Sequence, residues 1–327
     1  MNVPKLRFKE FKDEWQSINL ATVFQYFATN SFSRDQLSES GILKNLHYGD
    51  IHRKYNSIVN ENDEITSYVK DINYNNKYEL LKNNDLIFAD ASEDYEGIGK
   101  AVEVVNVNDK TISGLHTILA RDNLNVFAPM FKGYYFNSSI VHNQLRVLAN
   151  GFKVYGISKD SINKLNIKVP STNEQSKIAN TLYLLDKKIE LQSKKIEDLK
   201  LFKKGLILSL KKNSFNWHTV CIKDLFKITR GVVIPKNELS EFKSGEYKYP
   251  VYSSQTSNQG VLGYSDTFDF NGKYLTWTTD GANAGKVFYR NGKFRCTNVC
   301  GVLYEDNIRF TNELFAELLN YETPKHV

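Results

Sequence analysis

Trp15 and Phe24 recur as Trp217 and Phe226, each pair nine residues apart, at a constant offset of 202 residues. The chain therefore starts one unit twice. Between the two starts lies a long segment, 171–212, patterned as a single helix. Few folds are open to a chain that builds the same unit on either side of a helix. Two β-rich heads joined by a helical spacer suit recognition of a two-part target better than they suit catalysis.

The spacer is the most legible element. STNEQSKIANTLYLLDKKIELQSKKIEDLKLFKKGLILSL holds no proline and, before Gly205, no glycine. Pro170 closes the preceding element, and Ser171 with Glu174 predicts a capping box. Spacings of four and three set Ile178, Leu182, Leu185, Ile189, Gln192, Ile196, Leu199, Lys203 and Leu206 on one seam, seven of the nine apolar. A stripe so narrow and so long predicts a coiled coil, and some 35 residues at about 1.5 Å each give a rod of roughly 50 Å. Such a stripe needs a partner: another helix of this chain, a second copy, or another protein.

The flanking units read differently. KYELLKNNDLIFADAS and GKAVEVVNVNDKTISGLHTILAR in the first, and KYLTWTTDGANAGKVFYRNGKFRCTNVCGVLY in the second, are short β-type runs separated by Asn, Asp, Ser and Gly. The repeat continues through them. Gly99-Lys100 aligns with Gly285-Lys286 at an offset of 186, and His116-Thr117 with Cys296-Thr297 at an offset of 180. A falling offset means shorter loops in the second copy. Extending the first copy's plan also predicts that the second unit is incomplete at Val327, without a counterpart of GFKVYGISKDSINKLNIKVP or of the helix.

Length and charge agree with two heads and a spacer. At 327 residues the chain suits two domains of about 100–200 residues. The net charge of +6 is not spread evenly: Lys+Arg against Asp+Glu is 20 to 20 over 1–170, 10 to 5 over 171–212 and 13 to 12 over 213–327. Any DNA contact within a head must therefore come from a local patch. The lysines of the spacer also serve as a solvated face. No apolar run reaches the roughly 18–20 residues of a membrane span, and MNVPKLRFKEF has no signal-peptide core, so a cytoplasmic protein without a membrane partner is expected. Cys221, Cys296 and Cys300 are too few and too uneven for a disulfide framework or a zinc site, and no metal is expected.

Motifs for chemistry are missing. GANAGK has three residues between its glycines where a phosphate loop has four, and Val287 stands where Ser or Thr should bind magnesium. Gly97-Ile98-Gly99 is followed by Val102 in place of a third glycine. No Asn-Pro, no HExxH and no paired histidines occur, and the ExK at Glu246 and Lys248 lacks an upstream acidic partner. No catalytic residue and no cofactor is expected.

Binding chemistry is easier to place. LHYGDIHRKYN gathers His47, Tyr48, Asp50, His52, Arg53, Lys54, Tyr55 and Asn56 around a glycine, a set able to contact phosphates and base edges. In the second unit YPVYSSQTSNQG offers Ser253, Ser254 and Gln255 for the same task. Both stretches read equally well as polar surface loops.

GFKVYGISKDSINKLNIKVPSTNEQSKIANTL resembles the junction of a recognition domain with the conserved helix in specificity subunits of type I restriction-modification systems. YLTWTTDGANAGKVFY and LIFADASEDYEGIGKA are similar to the recognition domains themselves, so the likeness spans essentially the whole chain. The resemblance implies an α+β fold with target-recognition domains at 1–170 and 213–327 around a spacer helix at 171–212. It implies a non-catalytic subunit that binds a split site in double-stranded DNA and docks methyltransferase subunits through the helix. Those partners would use S-adenosylmethionine, and a restriction subunit in the same complex would cut DNA using ATP. Ile178, Leu182, Leu185, Ile189, Ile196, Leu199 and Leu206 would form the packing seam, open also to self-association. Two other readings stay open: a coiled-coil scaffold whose β-rich heads bind protein or glycan, and a fragment of a fused restriction enzyme with chemistry of its own.

Overall fold

The computed structural model describes residues 6–61, 67–70, 78–108, 110–151, 154–212 and 218–323. Trp217 lies outside them. The architecture is mixed, with a long helix, Thr172–Lys212, between two β-rich parts. The chain divides into two compact units, 1–194 and 195–327, and the division falls within that helix.

In the first unit a five-stranded sheet runs Phe24–Phe27, Thr117–Asp122, Leu86–Ala89, Ala101–Val105, Ile58–Asn60, antiparallel except for the last pair. Leu86–Ala89 is apolar and buried at every position because both faces of the sheet are covered. On one side Trp15, Phe24, Phe88, Phe127, Phe131, Tyr135 and Phe136 form the main core. A second, four-stranded sheet runs Thr111–Ser113, Lys44–Leu46, Tyr68–Val69, Leu37–Ser38. On the same face as this core, Lys132 and Glu103 form a buried ion pair at 3.1 Å, and Glu103 also accepts the N–H groups of Met130 and Gly133.

The second unit has one six-stranded sheet, in the order Lys227–Arg230, Cys300–Tyr304, Phe270–Thr278, Val287–Cys296, Tyr249–Tyr252, Val261–Ser265. Its helix Glu313–Glu322 sets Ala316 and Phe315 against Phe226, Leu275 and Val287.

The duplication holds in three dimensions. Phe24 and Phe226 are both buried, both end a four-residue helix (Leu20–Val23, Ile222–Leu225) and both donate their N–H back to its first residue. Asn30 donates to Ser113 O at 3.1 Å and Val232 to Cys296 O at 3.0 Å, which keeps the offset of 202 on the first partner. The pairing Gly99-Lys100 with Gly285-Lys286 is met as well: both glycines have positive φ, and the lysine carbonyls accept from Ala89 and Thr278 at 2.9 and 3.0 Å.

The alignment of His116-Thr117 with Cys296-Thr297 is corrected. Thr117 pairs with Ala89 while Cys300 pairs with Thr278, so Thr117 corresponds to Cys300 and the offset is 183. One shared threonine cannot set a register, whereas a hydrogen-bond ladder does. The capping box of Ser171 and Glu174 is likewise absent. Glu174 instead takes both of its hydrogen bonds from Arg7, at 2.6 and 2.7 Å, because a bidentate guanidinium outbids a single neutral N–H.

The long helix is anchored to the first unit by its opening turns. Gln175 accepts from Ala128 N–H at 2.8 Å and donates to Pro170 O at 2.9 Å, while Ala179 is buried in the main core. At about 1.5 Å per residue its 41 residues span about 60 Å. Among the described residues no helix is long and apolar enough to cross a membrane.

Candidate nucleic-acid interface

Both candidate loops leave the duplicated frame at one point. Leu46 ends a strand parallel to Thr111–Ser113 and accepts from Gly114 N–H at 2.8 Å. Tyr252 ends a strand parallel to Val287–Cys296 and accepts from Thr297 N–H at 2.8 Å. The segment after Leu46 is therefore the topological counterpart of the segment after Tyr252, a correspondence that the two sequences do not display.

In the first unit the segment folds into the helix Tyr48–Arg53. His47 caps it, its Nδ1 accepting the Gly49 N–H at 3.1 Å, and burial followed by the Arg34 charge lowers the imidazole pKa below its usual value. Asp50 is buried and takes Arg34 at 3.2 Å and Lys54 at 3.6 Å. His52 is held by the Ala91 carbonyl at 3.0 Å, and Lys100 donates to the His52 carbonyl at 3.2 Å. Tyr48 meets His52 and His116 edge-on. Tyr55 is half-buried, which pushes its phenol up to about 12. Arg53, Lys54 and Asn56 are exposed. The eight residues thus divide into an inner set that builds the platform, chiefly His47 and Asp50, and an outer set of two cations and an amide.

In the second unit the loop is closed by Ser253 N–H on Gly260 O at 3.0 Å. Gln255 is turned inward, its amide donating to the Val261 carbonyl and its N–H to Ser253 Oγ. Ser253, Ser254 and Gln255 are all half-buried, whereas Ser257, Asn258 and Gln259 are exposed at the tip. Asn258 and Gln259 adopt left-handed backbone angles, at about 1–2 kcal/mol each for ordinary residues, with asparagine the more tolerant. Arg290 lies beneath and donates to Gln259 O at 2.7 Å. Burial lowers the pKa of its guanidinium. A neighbouring loop joins the tip where Asn283 donates to Thr256 Oγ1 at 3.3 Å.

Arg34, Asn258, Gln259 and Arg290 were not among the expected site residues. Arg290 carried a signal, since it shares a strand face with Phe288, Phe294 and Cys296, where the alternation calls for an apolar residue. Asn258 and Gln259 lie within the candidate stretch YPVYSSQTSNQG, but their left-handed angles cannot be read from composition.

Along the helix, Ile178 packs on the first unit's core. Leu182, Leu185, Ile189, Ile196, Leu199 and Leu206 are 37–64% exposed. Leu184, Leu191 and Phe202, on another side of the helix, are 65–67% exposed, so the apolar surface is wider than a single seam.

Residues 12–201 and 215–325 match the model of the type I restriction modification DNA specificity domain. The type I restriction enzyme MpnII specificity subunit of Mycoplasma pneumoniae is 42% identical over 111 residues, 34% of this chain and 32% of that one. Another chain of that organism, named as the type I specificity subunit S.MpnORF365P, is 33% identical over 186 residues, 54% of this chain and 67% of its own. The first three curated relatives are matched over only 57%, 29% and 36% of their lengths. Among solved structures, the type I restriction-modification S subunit of M. genitalium superposes with a TM-score of 0.68 at 14% identity, covering 99% of this chain and 81% of that one, a likeness of fold.

Proposed function

Because the chain belongs to the family of type I restriction modification DNA specificity domains, we propose that it is the non-catalytic subunit that selects the DNA sequence for a type I restriction-modification complex in the cytoplasm. Its two domains, 1–170 and 213–327, each read one half of a split duplex target, and the helix over 171–212 docks methyltransferase subunits. Methyl transfer and ATP-driven cleavage belong to partner subunits. The observation that carries this reading is the recurrence of one frame on either side of one helix, with a polar loop leaving each copy at the same point, after Leu46 and after Tyr252. Groove reading needs what those loops offer: Arg53 and Lys54 for phosphates, and the amides of Asn56, Asn258 and Gln259 for base edges. The exposed rows that include Leu185, Ile189, Leu191 and Phe202 support the helix as an assembly surface. A strictly monomeric chain in sedimentation, with no gain in mass on adding methyltransferase subunits, would speak against that role.

The test is selection from randomised duplex DNA by the full chain with its methyltransferase subunits. Enrichment of a split site is expected. Deleting one heptad from the helix should change the number of base pairs between the half-sites and leave each half-site sequence intact. Enrichment of an uninterrupted site, or of none, would refute the reading.

A further inference from the structure

The tip of the loop Ser253–Gly260 is built for something its own stability does not require. Asn258 and Gln259 follow one another with φ of 47° and 51°, and Gly260 continues at 83°. Consecutive left-handed L residues persist only where the surroundings fix them, and such strain collects at functional sites. Arg290 does the fixing. It is 6% exposed, donates Nη2–H to Gln259 O at 2.7 Å and Nε–H to Thr276 Oγ1 at 3.0 Å, and lies over the rings of Tyr252 at 3.5 Å and Phe288 at 4.5 Å. Among the described residues no carboxylate pairs with it, so its charge-assisted bonds go to the loop and the sheet. Gly260 leaves room for this contact, since a Cβ there would stand 3.0 Å from Arg290 Nη2.

The backbone of the tip is thus held from beneath, while the side-chain amides of Asn258 and Gln259 are exposed and make no hydrogen bond among the described residues. The next loop adds a cation: Lys286 is exposed, with its Nζ 6.0 Å from the Phe288 ring centre. A pair of amides on a fixed backbone, with a lysine on the adjoining loop, is suited to a base edge flanked by a phosphate. An amide presents one donor and one acceptor on the same side, which matches N7 and N6–H2 of adenine in the major groove.

We infer that Asn258 and Gln259 read adenine in the half-site bound by the second unit, and that Arg290 is the positioning residue that holds them in reading geometry. This rests on the DNA-specificity reading above. It moves the reading residues of this loop from Ser253, Ser254 and Gln255 to the tip. Gln255 is then a brace, consistent with its bonds to Val261 and Ser253.

The test compares the full chain with the double variant Asn258→Gly, Gln259→Gly, each with methyltransferase subunits, in selection from randomised duplex DNA. Glycine favours the backbone angles present, so this variant removes the amides and keeps the loop. The expected result is a loss of about tenfold in preference at an A·T pair of one half-site, with the other half-site unchanged. Arg290→Met should relax the same base pair, and Arg290→Lys should restore part of the preference. A merely structural role for Arg290 would lower stability and leave the preference at that base pair unchanged. An unchanged motif in the glycine variant, or an equal loss in both half-sites, overturns the inference while leaving the DNA-specificity reading intact. If the unsubstituted chain enriches no split site, the reading itself falls and takes the inference with it.

Discussion

Asn137 and Asn320 make the same pair of hydrogen bonds in the two units. Asn137 accepts the Ala101 N–H at 3.0 Å and donates to the Ala101 carbonyl at 2.6 Å, while Asn320 accepts the Val287 N–H at 2.7 Å and donates to the Val287 carbonyl at 2.8 Å. Ala101 and Val287 each begin the strand after a Gly-Lys turn. In each unit one amide side chain thus stands in for a missing strand neighbour and ties a helix to the sheet. The asparagines lie 183 residues apart, the offset set by the ladder at Thr117 and Cys300.

Replacing either asparagine by alanine leaves a buried N–H and a buried C=O without partners. An unpaired buried polar group costs about 1–3 kcal/mol. Asn137→Ala and Asn320→Ala should each lower unfolding stability by at least that amount in urea titrations. A change below about 0.5 kcal/mol would mean that water replaces the amide.

Two glycines should respond in opposite directions. A Cβ at Gly301 would lie 2.2–2.3 Å from ring atoms of Trp277, so Gly301→Val should cost about 1–3 kcal/mol and alter the tryptophan fluorescence. Gly205 sits within the long helix with nothing within 4 Å of its Cβ position, and Gly205→Ala should stabilise the helix by about 0.5–1 kcal/mol. Circular dichroism during thermal unfolding checks both signs, and a destabilised Gly205→Ala chain would contradict the open surroundings at that position.

Acid should loosen the candidate loop of the first unit. His47 Nδ1 accepts the Gly49 N–H, which only the unprotonated nitrogen can do, and burial lowers the pKa of this histidine below 6.5. The unfolded chain then binds more protons than the folded one, so the stability due to His47 is present above about pH 6.5 and is lost as pH falls through the lower, folded pKa. His142 is shifted the same way by burial and adds to the slope. His47→Asn keeps an N-cap acceptor without the titration and should flatten part of the pH dependence between pH 7.5 and 5. An identical profile would place the acid sensitivity elsewhere.

Arg53→Ala with Lys54→Ala should weaken DNA binding and reduce the magnitude of the salt slope by about 1–2, since each phosphate contact contributes about 0.9. Fluorescence anisotropy across a salt series measures it. An unaltered slope would remove both cations from the phosphate contacts.

The long helix was legible because a run of some forty residues without proline admits few alternatives, and the duplication was legible because Phe24 and Phe226 kept both spacing and type. Other parts escaped for identifiable reasons. The Ser171–Glu174 cap gave way to Arg7, a residue 167 positions away whose approach no local pattern records. The register at Thr117 and Cys300 depends on which backbone groups pair, and those groups are the same in every residue.

From sequence alone came the division into two β-rich units and a helix, and the two stretches where polar side chains crowd. These follow from periodicity and spacing, which are properties of the chain as written. Only the tertiary structure decided which members of each crowd face outward: Asp50 is drawn in by Arg34 and Lys54, Gln255 is drawn in by Val261, and Gln259 is held at the tip by Arg290. The physical reason is common to all three. A polar side chain turns inward where a partner satisfies it and remains outside where none does, and the distance along the chain from the Gln259 carbonyl to Arg290 carries no hint of their contact.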